Sequence, residues 1–417
     1  MKIAFVTDEL PRPGSAGHLA FNAAVVEWLR ARGDEVLILL VRPRLRWPVE
    51  RYAGFEVTGP GVISWRGWVV SVAPRAIAAI LTRRILSALP VRLAKLLRNR
   101  GRSAQYGVVD AVLGGFVSPE QAVWCRSRLM SWQPAAILVD TIFRAAVLDG
   151  PALAECQSLI LAQDVFHLRH RILTSAGYQV YPATLSRDFE TAMLGKAQGI
   201  VSIQPEEAAL FRAMCPSRPV YLAAMPAIPC PRPAGIQRQP NRLVFVGSDA
   251  LPNLDGLRWF FAEIWPHLQN WRPTITLDLI GDCGAAFGHV PTGVNRVGRV
   301  KNLATYLHQA SAAISPLRVG TGLKIKLLDY ARHGLVTIAT PLSLQGFAAD
   351  PRAPFIAAAD ALSFAAAIQQ YMQRQVPALT EVDAWHYTEF HYGISNTFAE
   401  LTHAFTRQKS LSPTSPA

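Results

Sequence analysis

Apolar residues along this chain fall in short runs divided by glycine-rich or polar turns, and the period of each run decides which element it can form. Lys2–Thr7, apolar from Ile3 to Val6, and Val36–Val41, apolar throughout, are of strand length, and between them His18–Arg32 carries apolar residues at helical spacing behind the loop Pro11-Arg-Pro-Gly-Ser-Ala-Gly17. Strand, glycine loop, helix and strand in that order predict a parallel sheet. Further strands are predicted at Ala136–Asp140, Ser158–Ala162, Gly199–Ile203 and Val220–Ala223. After Met225 the proline-dense run Pro226–Gly235 has no period at all, and it marks a linker. The grammar then restarts. Strands are predicted at Arg242–Val246, Thr276–Ile280, Val294–Val297, Ala312–Ser315 and Val336–Ala339. Helices are predicted from Asn253 through Trp265 and over Leu303–Gln309, Leu323–His333 and Asp360–Met372.

This pattern predicts an α/β chain: a first domain over 1–228, a linker over 229–240 and a second domain over 241–384. An aromatic stretch and a last helix over 385–408 are expected to pack back on the first domain, ahead of a disordered tail at 409–417. A length of 417 residues with 50% hydrophobic content is ample for two cores and excludes a disordered or fibrous chain. The five cysteines are scattered without a Cys-x-x-Cys pair, so neither a zinc site nor a disulfide framework is expected. Asp8 and Glu9 follow the first apolar run at once, unlike a secretion signal, and no run reaches the ~18–20 apolar residues of a membrane span. A cytoplasmic protein, either soluble or peripheral to the inner face of a membrane, is the expectation.

The formal charge of +13 adds a location to that picture. Between Val57 and Val109 there is no Asp or Glu, yet nine Lys and Arg residues occur, from Arg66 to Arg102. Ile77, Leu81, Ile85 and Leu89 recur at helical spacing with Arg83 and Arg84 beside them, and a second short helix is predicted around Leu93, Leu96 and Leu97. A basic amphipathic insertion near 60–107 suits an anionic membrane surface, or equally a solvated helical face. Nucleic acid is disfavoured, because aromatic residues are sparse there and no recognition motif is present.

The segment with the most chemistry is Pro316–Thr340. Gly320 and Gly322 let an anion approach the main chain, and the helix predicted to open at Leu323 directs unpaired amides toward it. Lys324 and Lys326 supply full charges, and Asp329 can reach ribose hydroxyls one turn on. An ordinary βαβ unit with glycines in its turns would share part of this pattern. Together with Val246-Gly-Ser248, Asn253-Leu-Asp-Gly256, Leu279-Ile-Gly-Asp282, Gly298-Arg-Val300 and Ile338-Ala-Thr340, it resembles the group 1 retaining glycosyltransferases of the GT-B fold. The likeness covers the C-terminal half well and the N-terminal half loosely, through Gly14, Gly17 and Gln163-Asp-Val-Phe-His-Leu-Arg169.

That resemblance implies two Rossmann-like domains with parallel sheets facing across a cleft, the donor held by the second and the acceptor by the first. It implies Gly247, Asn253, Arg299, Gly320, Thr321, Gly322, Lys324 and Asp329 as donor-binding residues, with Lys326 the leading phosphate cation and Arg318 in reserve. On the first domain, Asp164 and His167 are candidates to contact the sugar or acceptor, and Gly14, Gly17 and His18 form an acceptor-side loop. Family members usually carry a glutamate at each of the positions held here by Thr321 and Asp329, and an Arg and a Lys that are missing from Asp249–Gly256. The implied activity is transfer from a nucleotide sugar, with retention and with no metal or cofactor, to a lipid-linked or surface-glycan acceptor in cell-envelope polysaccharide biosynthesis. A catalytically silent GT-B-like partner subunit and a nucleotide-sugar epimerase remain as alternatives.

Overall fold

The computed structural model describes residues 1–13, 17–88, 108–153, 156–271, 274–374 and 380–411. The chain divides into two compact units, Met1–Leu222 together with the chain from Glu400, and Ala223–Ala399. In the first, seven parallel strands lie in the spatial order Val220–Leu222, Gly199–Ser202, Gln157–Leu161, Ala136–Asp140, Lys2–Thr7, Glu35–Leu40 and Glu56–Thr58. Ala136–Asp140 and Gly199–Ser202 are buried at every position, which explains why each lacks a polar residue until its last position: strands covered on both faces have no polar side to show. The helix Gly17–Ala31 adds Leu19, Phe21, Val25, Val26 and Leu29 to the core.

The second unit repeats the plan with six parallel strands in the order Val294–Gly298, Thr276–Ile280, Arg242–Val246, Ala312–Ser315, Thr337–Ala339 and Phe355–Ala357. Phe260, Ile264, Trp265 and Phe364 pack against one face of this sheet. Both sheets are doubly wound. Strand order reverses beside the first strand of each, between Lys2–Thr7 and Ala136–Asp140 and again between Arg242–Val246 and Ala312–Ser315. In such sheets the crevice outside the strand carboxyl ends at the reversal is where ligands bind.

Several boundaries differ from those the sequence pattern predicts. The first unit ends at Leu222, and the proline-rich run is docked on the second unit rather than free. Cys230 N–H donates to Arg332 O (2.7 Å), and Arg238 donates to Glu381 (2.8 Å) and to the carbonyls of Ala310 (2.7 Å) and Gly334 (2.8 Å). A run without period can still be held by its polar groups. The segment 385–408 is likewise split. Helix Glu381–Tyr392 belongs to the second unit and Ala399–Leu411 largely to the first, with extended backbone at Gly393 separating them. That last helix runs to Leu411, and 412–417 lie outside the described residues.

The basic insertion also opens differently. Val49–Arg51, Val62–Trp65 and Trp68–Ser71 form a small antiparallel sheet, and only then does a helix follow, over Pro74–Ala88. Arg66 and Gly67 both take positive φ (47° and 79°), the combination that closes a tight hairpin. Leu89 and the short helix predicted around Leu93, Leu96 and Leu97 lie outside the described residues. Among the described residues no helix is long and apolar enough to cross a membrane.

Candidate functional site

At the strand carboxyl ends of the second unit, three loops are tied together through their backbones. Gly247 N–H donates to Ile280 O (2.9 Å), Gly281 N–H to Gly298 O (2.8 Å) and Cys283 N–H to Gly247 O (3.2 Å). Tyr330, fully buried, accepts the Val246 N–H on its hydroxyl (2.7 Å) and fixes the end of the first strand. Asn253 joins this loop to the glycine segment: its Nδ2 donates to Ser248 O (3.1 Å) and its Oδ1 accepts from Lys326 Nζ (2.6 Å). Gly256 allows the approach, since a Cβ there would lie 2.5 Å from Pro316 O. The Asn253–Gly256 motif and the Pro316–Lys326 segment are therefore one construction.

Gly320 and Gly322 take φ of 115° and 74°, which only glycine adopts without strain, and Thr321 sits between them. The helix they precede is Lys326–Arg332, three residues later than the pattern predicts. Leu323–Ile325 forms a tight turn instead, with Ile325 N–H donating to Leu323 O (3.0 Å) and Leu327 N–H to Lys324 O (2.8 Å). Lys324 turns back into this loop and donates to Gly322 O (2.7 Å), so its charge steadies the turn. Arg299 pairs with Asp282 and Arg318 with Asp255, both at exposed positions. Of the predicted cations, Lys326 is placed differently.

The Lys326 ammonium lies 4.1 Å above the Phe245 ring and has no carboxylate partner among the described residues. Part of the side chain stays accessible, yet desolvation brings its pKa down to about 7; the Lys324 charge adds to the lowering, and Cys283 opposes it. Burial pushes the Asp329 carboxyl above its ordinary value, partly countered by Arg332. A cation held in a polar-poor setting without a counter-charge is costly unless an anion completes it.

In the first unit the polar residues that end the apolar strands gather in the same way. Thr7 Oγ1 donates to Asp140 (3.0 Å), Arg144 pairs with Asp8 (3.1 Å), and Arg144 also donates to Thr141 Oγ1 (2.5 Å) and Leu113 O (2.6 Å). All but Leu113 are nearly or fully buried. Asp8 is raised by burial, against the pull of Arg144 and Arg44. His18, in the first turn of the helix that begins at Gly17, is brought below its ordinary pKa by burial, with Asp140 opposing and Arg144 adding to the shift. Gly14 lies outside the described residues.

Asp164 is buried and accepts from Arg169 (3.1 Å). His167 is oriented by Glu190, whose carboxylate contacts its Nδ1 (2.7 Å) and accepts the N–H groups of Phe166 and His167 (2.9 and 2.8 Å). Asp8, Asp140, Arg144 and Glu190 escape a motif search. For Asp8 and Asp140 the signal is positional, since Thr7-Asp8 and Asp140-Thr141 lie where an apolar strand run ends, whereas Arg144 and Glu190, on helical segments, carry no such signal.

One group among the described residues could hold a metal ion: Cys230, His308 and His333 bring ligand atoms within 4.8 Å of one another. Each ring already gives one nitrogen to a backbone carbonyl, His308 to Cys230 O (3.0 Å) and His333 to Asp329 O (2.6 Å), and burial holds His333 neutral with a pKa of about 4. Long sequence separation hid this grouping. A cavity of about 580 Å³ in the second unit, lined by Arg352, Trp385, His386 and Phe390, shares no residue with the glycine loops.

Comparison with known proteins agrees with this architecture. Residues 240–374 match the family described as Glycosyl transferases group 1. No curated protein matches the sequence. Sucrose-phosphate synthase from Thermosynechococcus elongatus superposes with a TM-score of 0.67 at 15% identity, over 99% of this chain and 100% of that one. The apo form of the lipopolysaccharide outer core galactosyltransferase WaaB gives 0.57 at 11% identity, over 98% and 100%. Anabaena HepE in complex with UDP gives 0.58 at 9% identity, over 98% and 100%. Residues 240–374 thus carry a domain similar to the group 1 glycosyl transferases, and the chain as a whole shares the fold of these glycosyltransferase structures, two doubly wound parallel sheets of the GT-B type.

Proposed function

We propose that the chain transfers a sugar from a nucleotide-sugar donor to a lipid-linked or surface-glycan acceptor, with retention at the anomeric carbon. The observation that carries the donor half is Lys326: an ammonium on the face of Phe245, bonded to Asn253 and lacking a carboxylate, beside a turn in which Gly320 and Gly322 both take positive φ. A diphosphate supplies the missing charge. Gly320, Thr321 and Gly322 are the candidates to bring backbone to its oxygens, Gly247, whose N–H is held by Ile280 O, contributes only its missing side chain, and Asp329 is the candidate for ribose hydroxyls. HepE, which shares the fold, is known with UDP. The acceptor half takes its support from WaaB, a galactosyltransferase of the lipopolysaccharide outer core.

In the reaction the acceptor oxygen bonds to the anomeric carbon as the bond from that carbon to the phosphate oxygen breaks. Charge accumulates on the leaving diphosphate, where Lys326 stabilises it more than in the ground state. The acceptor proton passes to a leaving phosphate oxygen, in keeping with retention. Asp164, His167 and His18 are candidates to bind the sugar or acceptor, with Glu190 fixing the His167 ring.

Calorimetry with a panel of nucleoside diphosphates and their sugars tests this reading. One of them is expected to bind, and Lys326→Ala to weaken it by ~1.5–3 kcal/mol, the worth of one charge-assisted contact. Unchanged affinity in the variant would move the donor site elsewhere. Absence of any nucleotide affinity would favour a silent partner subunit, and product formed without acceptor an epimerase.

A further inference from the structure

The small antiparallel sheet of the first unit exposes an apolar face that the fold does not use. Directly opposed residues of antiparallel strands point to the same side, and the register pairs Val49 with Val70, Ile63 with Val70, Arg51 with Trp68 and Trp65 with Trp68. One face therefore presents Val49, Val70 and Ile63 in one row and Arg51, Trp68 and Trp65 in the next. Trp65 is 66% exposed, Ile63 56%, Val49 52% and Trp68 45%. The opposite face carries Glu50, Val69 and Ser71, all buried. The sheet's single acid is thus turned inward, where it pairs with Arg12 and accepts the Trp47 N–H (2.6 Å).

Further apolar side chains are exposed on the segments that flank the sheet in sequence. Trp47, 49% exposed, is covered on one side by Arg84 of helix Pro74–Ala88 at 4.4 Å, and on that helix Ile85 (63%) and Leu81 (44%) are exposed as well. At the hairpin tip the Arg66 guanidinium lies 4.9 Å from the Trp65 ring centroid. Arg51 also lines a cavity of about 380 Å³ together with Arg12 and Arg46. A soluble surface has no use for paired tryptophans, isoleucine and leucine side by side with arginines in a segment that has no acid between Val57 and Val109.

We infer that this face docks the protein on an anionic lipid bilayer. Trp65 and Trp68 settle at the headgroup level, where an indole satisfies both its ring and its N–H. Ile63, Ile85 and Leu81 reach the acyl boundary, and Arg51, Arg66 and Arg84 meet lipid phosphates. Charge complementarity selects the occupant: each basic residue near an anionic surface adds attraction that salt screens. The inference deepens the reading of a lipid-linked acceptor given above, but its evidence is separate from the donor site.

The test is flotation of the full chain with phosphatidylglycerol-containing and pure phosphatidylcholine vesicles. Binding is expected on the anionic vesicles, falling as salt rises, and the double variant Trp65→Ser/Trp68→Ser is expected to lose it about tenfold or more. The variant should keep the parent melting temperature and nucleotide affinity, since both side chains are exposed. Leu362→Ser, at a 66% exposed position of the second unit, should leave flotation unchanged. Equal flotation of the tryptophan variant and parent would overturn the inference. So would anionic-vesicle binding too weak to detect at low salt, a dimer broken by the tryptophan variant, or preferential capture of single-stranded RNA. Failure of the donor reading alone would show as lost nucleotide affinity with flotation intact.

Discussion

A lysine whose pKa is brought down to about 7 gives the proposed donor site a pH signature. With a pKa brought down to about 7, Lys326 is protonated in the free protein below that pH and increasingly neutral above it. A bound diphosphate stabilises the charged form and raises the pKa, so binding above neutrality takes up a proton. Affinity should be highest below pH ~7 and fall by up to ~tenfold per unit above it. Calorimetry in buffers of different ionisation enthalpy should then show proton uptake at pH ~8, and its absence would mean that Lys326 does not face the anion. The stability linkage has a definite sign as well. The folded pKa lies below the unfolded value, so the folded state is penalised fully below about 7, and the penalty fades as pH rises toward 10.5. Lys326→Met is accordingly expected to stabilise the protein at pH ~6 by ~1 kcal/mol even as it weakens donor binding. A thermal melt decides it.

At the scale of elements, the site is a joint between the helix that begins at Leu251 and the segment ahead of Lys326. Gly256 sits where the helix meets the Pro316 carbonyl, with no room for a side chain. Gly256→Ala should push the two apart, costing ~1–3 kcal/mol in stability. Because Asn253 lies on the same helix and holds Lys326, nucleotide affinity should fall with it; a normal melting temperature and affinity would show that the helix shifts freely. The same joint shows how far sequence could reach. The glycines and Lys326 are legible as a candidate phosphate loop and Asn253 through the family resemblance, whereas the late start of the helix is not legible. Whether Lys324 points to a ligand or back to Gly322 O depends on the turn Leu323–Ile325, and no side-chain pattern encodes that turn.

Across the whole molecule, the chain leaves the first unit at Leu222 and returns to it at Glu400. The returning helix buries Leu401, Ala404 and Phe405, with Phe405 4.8 Å from the Arg32 guanidinium and 6.2 Å from the Trp28 ring. Gln157 Nε2 donates to Ala404 O (2.8 Å) and Leu222 N–H to Glu400 (2.7 Å), so the helix closes the unit at two places. Phe405→Ala should cost ~3–5 kcal/mol and lower the melting of the first unit. The second unit should hold its own transition, which calorimetric scans would resolve; a single shared transition that does not move would refute it.

By itself the sequence determined the two doubly wound sheets, because a strand buried on both faces must be apolar throughout and a parallel connection needs a helix between strands. It also determined the glycine turn, since few residues accept positive φ. Tertiary structure alone decided which charges are spent inside the protein and which is left without a counter-charge among the described residues. Lys324, Arg299 and Arg318 look as suitable as Lys326 along the chain, yet each of the three meets a carbonyl or carboxylate close by, two of them on segments remote in sequence. Asp8, Asp140 and Arg144 became neighbours only when strands more than a hundred residues apart were paired. Pairing partners are a property of the assembled sheets, and a linear pattern carries period but not proximity.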